Sequence, residues 1–427
     1  MSMQYEDARA ILKRRFDGGN VPRALQSKFP ILAATPRYQD DGGDDVQQAV
    51  QNGTPQAASA DFEVAAGNFQ PGTYNRWLVP LTYHYSLFRV QGPAMEAAKK
   101  KGDKAFLDLL KSETDGAGIT EMKCQEMYLT RNGSGMVGQC ATTGVTAAST
   151  VVTLALTDDI INFDLFEKIH AYNSDVVATA TQYVGTARIT AINRNPDVGQ
   201  FTLSNTLGAS FNITDANITA GLVYFCRAGD GPQLGSSVII TGDDEWVKGG
   251  TAPGTLFSCN RDQDPVGLAG QTYDGATKGY EEAIIDQEAL LGYAWGEDED
   301  GANRVCKINT RDLANLKKVA AARMTLDRMK SSVGGLSFQV IKFAGDYGDI
   351  KFLSSPFVRR GRNYLGPMNE TIFESMGPVP RMLHWNNEQV LTVANADAAE
   401  GRLGTYGRYR NRNPMAWVRG LNFGGTA

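Results

Sequence analysis

The chain has 427 residues, 42% of them hydrophobic and 21% charged, with a formal net charge of −5. It is too long for one ordinary core, and its acidity argues against a freely diffusing nucleic-acid binder. Five cysteines (Cys124, Cys140, Cys226, Cys259 and Cys306) lie far apart without a CxxC, so they read as reduced thiols and not as bridges or a zinc site. No run of 18 apolar residues occurs, which argues against a membrane span, and the opening MSMQYEDARAILKRRF carries acids where a secretion signal needs an apolar core.

Residues 3–16 predict a short helix with Ala8, Ile11 and Leu12 on one side. From Thr35 to about Ala60 the chain is polar, with Asp40, Asp41, Asp44 and Asp45. That stretch cannot bury enough apolar area to fold alone and reads as an arm ordered against something else. Phe62 to Val90 alternates and predicts an extended hairpin, broken at Gln70-Pro71-Gly72. Trp77, Leu78 and Leu87 give it more apolar area than a hairpin of this reach buries by itself, which marks them as candidates for contact with a neighbouring subunit. After Gly92-Pro93 a helix is predicted over 94–114, with Phe106, Leu109 and Leu110 on one face. A break at Asp115-Gly116-Ala117-Gly118 and a second helical stretch over 119–130 follow.

From Val145 to about Gly235 the character changes to short β-like runs. They include Thr186–Ile192, a turn at Asn195–Gly199, then Phe201–Leu203 and Leu222–Phe225. This spacing predicts a small inserted barrel or sandwich, with a helical turn at Asp164–His170. A helix is expected over 281–291. The best-defined one is expected over 311–330, capped by Asn309 and Asp312 and striped by Leu313, Leu316, Ala320 and Met324. A hairpin over Leu336–Phe343 and Ile350–Leu353 follows, around Gly345–Gly348. Residues 356–427 hold nine arginines, no lysine and five acids, with strand-like runs at Asn387–Ala394 and Ala416–Leu421.

Motifs that carry chemistry are weak. Gly133-Ser134-Gly135-Met136-Val137-Gly138 matches GxGxxG, yet it follows a helical stretch and leads into β-like sequence, the reverse of a dinucleotide fingerprint. His84, His170 and His384 lack ligand spacing. The acids Glu297–Asp300 lack the alternation of a calcium loop. No phosphate-binding GxxxxGK[ST] or nucleophile elbow occurs. The sequence gives no ground for an enzyme, a catalytic residue, a cofactor or a metal. Arginines cluster instead: Arg359, Arg360 and Arg362, then Arg402, Arg408, Arg410, Arg412 and Arg419. Their rigid forks suit carboxylates or phosphates. In an acidic chain, carboxylates of neighbouring copies are the preferred partners, ahead of phosphates of enclosed nucleic acid and of plain solvation.

The order of these pieces resembles the major capsid proteins of tailed bacteriophages, which share the HK97-like fold. The likeness rests on Trp77–Val90 running into Gly92–Ala98, the helix at 104–110 and the glycine loop Asn132–Gly138. Gly270–Asp274, Asn309–Arg328 and the closing Asn413–Gly420 complete it. It implies an α+β fold with an N-terminal arm over 1–56, an extended β-hairpin loop over 57–92, and a spine helix with part of a peripheral domain over 93–144. An inserted β domain over 145–245 would follow, then an axial domain with the remaining peripheral strands over 246–427. The insert is expected to be a self-contained, solvent-facing module.

The function so implied is structural: self-assembly as hexamers and pentamers into an icosahedral shell around double-stranded DNA, contacted non-specifically, in a virion built in the host cytoplasm. A separate scaffolding protein, a portal protein and a cement or decoration protein are the implied partners. Some members of the family crosslink their subunits through a lysine of the extended loop. Residues 57–92 contain none, the nearest being Lys28 and Lys99, so that chemistry is expected to be absent. An encapsulin-like compartment, which shares the fold, is the alternative reading.

Overall fold

The computed structural model describes residues 29–39, 42–93, 109–175, 183–231, 239–276, 278–295, 304–319, 324–327, 340–345, 348–383, 390–393 and 396–424. The helix expected at 3–16, residues 94–108 of that expected at 94–114 (with Phe106), the acids Glu297–Asp300, residues 336–339 of the expected hairpin, His384, and residues 387–389 and 394 of the expected strand-like run lie outside these residues.

One sheet is organised by the long strand Ala398–Asn411. Thr82–Gln91 lies antiparallel along it from Gln91↔Ala398 to Thr82↔Gly407. Thr371–Ser375, Arg381–Met382 and Val390–Thr392 also pair with it. The period of two sends Phe88 and Val90 into the core while Tyr83, Tyr85 and Leu87 face out. Gly401 fits only as glycine, because a Cβ there would stand 2.1 Å from the Phe88 ring.

Behind the sheet lies the helix Leu109–Tyr128, which runs unbroken through Asp115-Gly116-Ala117-Gly118, where the sequence predicts a break. Its glycines cost helix propensity. Burial of Glu121, Cys124, Gln125, Glu126, Met127 and Tyr128 supplies tertiary packing that decides the matter, as it does for most helices in proteins.

Six strands form a second sheet in the order Gly138–Gln139, Tyr224–Arg227, Lys168–Tyr172, Tyr183–Asn193, Gln200–Leu203, Val151–Thr153. The two ends meet through the bridge Cys140↔Leu154 and the bonds Ala141 N to Thr153 O and Ala155 N to Gln139 O, both 2.9 Å. The sheet is thereby curled into a small barrel spanning 138–227. Asp164–His170 holds no helical turn: Lys168 opens a strand, and a 3-10 turn sits earlier at Thr157–Asn162. The barrel is not independent of the rest. Its Phe163, Phe201 and Phe225 belong to the same continuous core as Trp77, Trp246 and Trp417.

A seven-stranded sheet carries the later chain, in the order Gln271–Asp274, Val418–Leu421, Arg362–Pro367, Arg304–Ile308, Gly348–Ser354, Val340–Gly345, Met324–Asp327. The helices Tyr280–Trp295 and Thr310–Val319 cover it through Ile284, Leu291, Leu313 and Leu316. The second helix is described to Val319, and by Met324 the chain is already a strand, short of the 330 that the sequence pattern predicts. Met324–Asp327 pairs instead with Val340–Gly345 as an edge strand, so sheet hydrogen bonds win over the apolar stripe. Asn309 caps the helix, its Oδ1 accepting from Arg311 N at 2.8 Å. Asp312 is no cap: it accepts from Gly361 N at 2.7 Å and Tyr280 OH at 3.1 Å.

Candidate assembly surfaces

The polar segment read as an arm contains a strand. Asp45–Gly53 pairs antiparallel with Thr73–Pro80, from Asp45↔Pro80 to Gly53↔Thr73. The protruding hairpin therefore covers 45–80, not Phe62–Val90, and Thr82–Gln91 belongs to the main sheet. Alternation alone does not reveal a strand's partner, and Pro80 interrupts neither.

The base of this hairpin is anchored. Trp77 and Val79 are buried, and Leu78 N donates to Phe257 O at 2.9 Å. Arg408 donates to Val79 O at 2.9 Å and Gly43 O at 3.2 Å. The Gln48 amide donates to Asn411 O at 2.9 Å. Its tip is the opposite. Asp61 caps the short helix Phe62–Gly67, accepting from Glu63 N at 2.8 Å, and no residue of that helix is buried. Phe62 is 84% exposed, Phe69 59% and Tyr74 69%.

A second apolar surface lies on the outer face of the main sheet. Tyr83 and Tyr85 stand edge-on to Tyr406, with ring centroids 5.4 and 5.8 Å apart. Tyr85 and Tyr406, with Leu87, Met382, Leu383 and Leu391, border a groove of about 790 Å³. Arg381 lies over the Tyr406 ring at 4.8 Å. Arg89 and Arg402 share one carboxylate, that of Glu400, at 2.5 and 2.7 Å, so two guanidinium groups meet one acid here.

The residues singled out from sequence separate into two groups. Trp77 is buried against Trp246 and has no surface left for a neighbour; Leu78 is half-buried, and Leu87 is exposed beside the groove. Most of these arginines find carboxylates in their own chain. Arg359 reaches Asp175 at 3.8 Å, Arg360 reaches Asp158 and Asp312 at 3.5 Å, and Arg362 reaches Asp244 at 2.6 Å. Burial opposes ionisation of Asp244, but Arg362, Arg419 and Arg359 outweigh it and hold its carboxyl at about 2. Arg408 and Arg410 both engage Glu374. Arg412 is exposed. The tip residues Phe62, Phe69 and Tyr74 were not separable by sequence. Their only signal is an N-cap aspartate ahead of aromatics in a polar run.

The glycine loop is a turn. Gly133 and Gly135 take φ of +81°, Ser134 hydrogen-bonds Asn132 and Asp175, and the loop enters the barrel strand at Gly138. Among the described residues no group of three or more His, Cys, Asp and Glu side chains is placed to hold a metal ion.

No family model matches the chain, and no curated protein does. Solved structures do. The cyanophage A-1(L) capsid asymmetric unit aligns at a TM-score of 0.54 and 10% identity over 99% of this chain and 98% of that one. The capsid of the native GTA particle aligns at 0.49 and 9%, over 96% and 94%. The holo-SrpI encapsulin complex from Synechococcus elongatus aligns at 0.45 and 9%, over 100% and 98%. The alignment to the cyanophage capsid, which covers nearly all of both chains, shows the class of fold: a mixed α+β architecture with curled sheets, consistent with the HK97-like type.

Proposed function

We propose that the chain is a major capsid protein of a tailed phage, assembling with copies of itself as hexamers and pentamers into an icosahedral shell around double-stranded DNA. One observation carries the reading: within this fold, a hairpin is fixed at its base in the subunit core and bears an exposed aromatic tip. From Gly53 to Tyr74 the tip holds Asp61 and Glu63 and neither lysine nor arginine. The groove with Arg381 and Arg402 is its complement in charge and in apolar character. The tip of one copy seats in the groove of the next, a head-to-tail contact that closes into rings.

In this reading the extended loop is 45–80, with the arm before it, the barrel of 138–227 as the insert, and the seven-stranded sheet as the axial part. No lysine lies between Lys28 and Lys99, so the loop is held without covalent crosslinks. A separate scaffolding protein, a portal and a cement protein complete the assembly, in the host cytoplasm. Negative-stain microscopy of the purified chain is expected to show closed shells or capsomers, and native particles to hold nuclease-protected DNA. A chain that stays monomeric at high concentration overturns the proposal. Shells that carry protein cargo and no DNA establish an encapsulin-like compartment instead.

A further inference from the structure

Strand Thr82–Gln91 turns His84 inward where the long helix meets the barrel turn that follows Tyr224–Arg227. Nδ1 lies 2.6 Å from Glu121 Oε2 of the helix, and Nε2 lies 3.4 Å from Asp230 Oδ2 of the turn. With a carboxylate at each ring nitrogen, only the doubly protonated ring donates to both; a neutral ring turns a lone pair toward one of them. Tyr128 of the helix donates its hydroxyl to the same Asp230 oxygen, and its ring stands edge-on to His84 at 6.0 Å. Gln125 donates to Glu121 Oε1 at 3.0 Å. Thr405 is the cross-strand partner of His84. Cys124 is buried on the same helix. Further along the seam Lys123, Arg194 and Arg227 converge on Asp164, each at 2.9 Å, and Arg227 also reaches Glu167 at 3.1 Å.

We propose that His84 is a protonation-set latch: its imidazolium bridges the long helix and the Asp230 turn of the barrel, and loss of its proton loosens that turn, which Tyr128 then holds without it. The inference does not rest on the capsid reading. Burial by itself lowers the His84 pKa. The hydrogen bonds to Asp230 and Glu121, with the neighbouring charges, outweigh it and hold the ring well above 6.5. Burial likewise raises Glu121 and Asp230, and in both His84 overcomes it, so both sit below the usual carboxylate range. Burial keeps the Cys124 thiol and Tyr128 hydroxyl neutral, while Arg227 stays charged. His170, on the neighbouring barrel strand and lowered by burial and by Lys168, does not compete for the proton.

The direction in pH follows from linkage. A raised imidazole pKa gives a contribution fully present below the ordinary value near 6.5 and lost as pH rises through the folded value. The depressed carboxylates contribute above their ordinary range and lose that contribution as pH falls through their own folded values. The latch is therefore closed at neutral pH and opens on the alkaline side.

The test combines NMR of the full chain with selectively labelled histidine, three in all, with hydrogen exchange followed from neutral to alkaline pH. His84 is expected to titrate well above its ordinary value. Exchange over 224–231, corrected for intrinsic rate, is expected to rise at least tenfold through that pKa while the seven-stranded sheet stays protected. His84→Gln is expected to show the fast exchange already at neutral pH and no further step. A His84 pKa at or below 6.5 overturns the proposal, as does barrel exchange that His84→Gln leaves unchanged. Should His84→Gln fail to fold, the wild-type titration and its coincidence with barrel exchange decide alone.

Discussion

Trp77 packs edge-on against Trp246, ring centroids 5.7 Å apart and planes at 66°, and Phe257 lies 5.6 Å from Trp246 on another side. The hairpin base is thus part of the subunit's own core. Trp77→Ala is expected to cost about 3–5 kcal/mol of folding stability, the range for a large buried aromatic. Urea unfolding of the unassembled subunit measures it. A loss under 1 kcal/mol would show that Trp77 is not a core residue.

The complementary experiment concerns the tip. Phe62→Ala and Phe69→Ala remove exposed rings that touch little of their own subunit, so subunit stability should change by no more than about 0.5 kcal/mol. If they are contact anchors, truncation costs about 2 kcal/mol or more per contact, multiplied over symmetry-related sites. Shell yield should fall sharply while circular dichroism and the unfolding midpoint of the subunit stay unchanged. Shells formed in normal yield would remove the tip from the assembly contacts.

The sequence predicts well where a pattern is local. Thr186–Ile192, the Asn195–Gly199 turn, the 281–291 helix and the Gly345–Gly348 hairpin all have their signal within a dozen residues, and all are present. It predicts poorly where the deciding partner is remote. Asp45–Gly53 is a strand because Thr73–Pro80 lies alongside, and Met324–Asp327 leaves its helix for Val340–Gly345. The arginines had their chemistry legible and their partners not: a guanidinium fork announces a carboxylate, but only the fold brings Asp244, separated by more than a hundred residues, to Arg362. The same limit hid the tip, since Trp77 and Phe62 look alike in a sequence and differ only in which end of one hairpin they occupy.

The long helix carries Gly116 and Gly118 in its interior, and a Cβ at either meets nothing within 4 Å. Neither glycine is needed for close packing, and neither has a left-handed backbone. Gly116→Ala and Gly118→Ala are each expected to stabilise the subunit by about 0.5–1 kcal/mol, the difference in helix propensity and unfolded-chain freedom. Thermal unfolding of the unassembled chain checks this. A lowered midpoint would mean that the helix bends or frays at 115–118.

Glu126 makes the sharpest pH prediction. Its carboxylate reaches from the long helix to the start of Pro30–Ala34, accepting from Ile31 N at 3.2 Å and Leu32 N at 2.6 Å. It secures the segment whose Phe29 stacks on Phe357 at 6.3 Å. Burial raises the Glu126 pKa to about 7, against the pull of those amides, Ser355 and Lys307. Between about pH 4.5 and 7 the folded chain keeps a proton that the unfolded chain has released, so stability through this group falls as pH rises and levels off above 7. A shift of that size corresponds to at most about 3 kcal/mol. Glu126→Gln, which cannot ionise but replaces one of the two accepting oxygens with an NH2 donor, should flatten this part of the profile. Urea unfolding of both proteins at pH 5 and pH 8 measures the difference. Parallel profiles would show that Glu126 ionises in the folded subunit as it does in water.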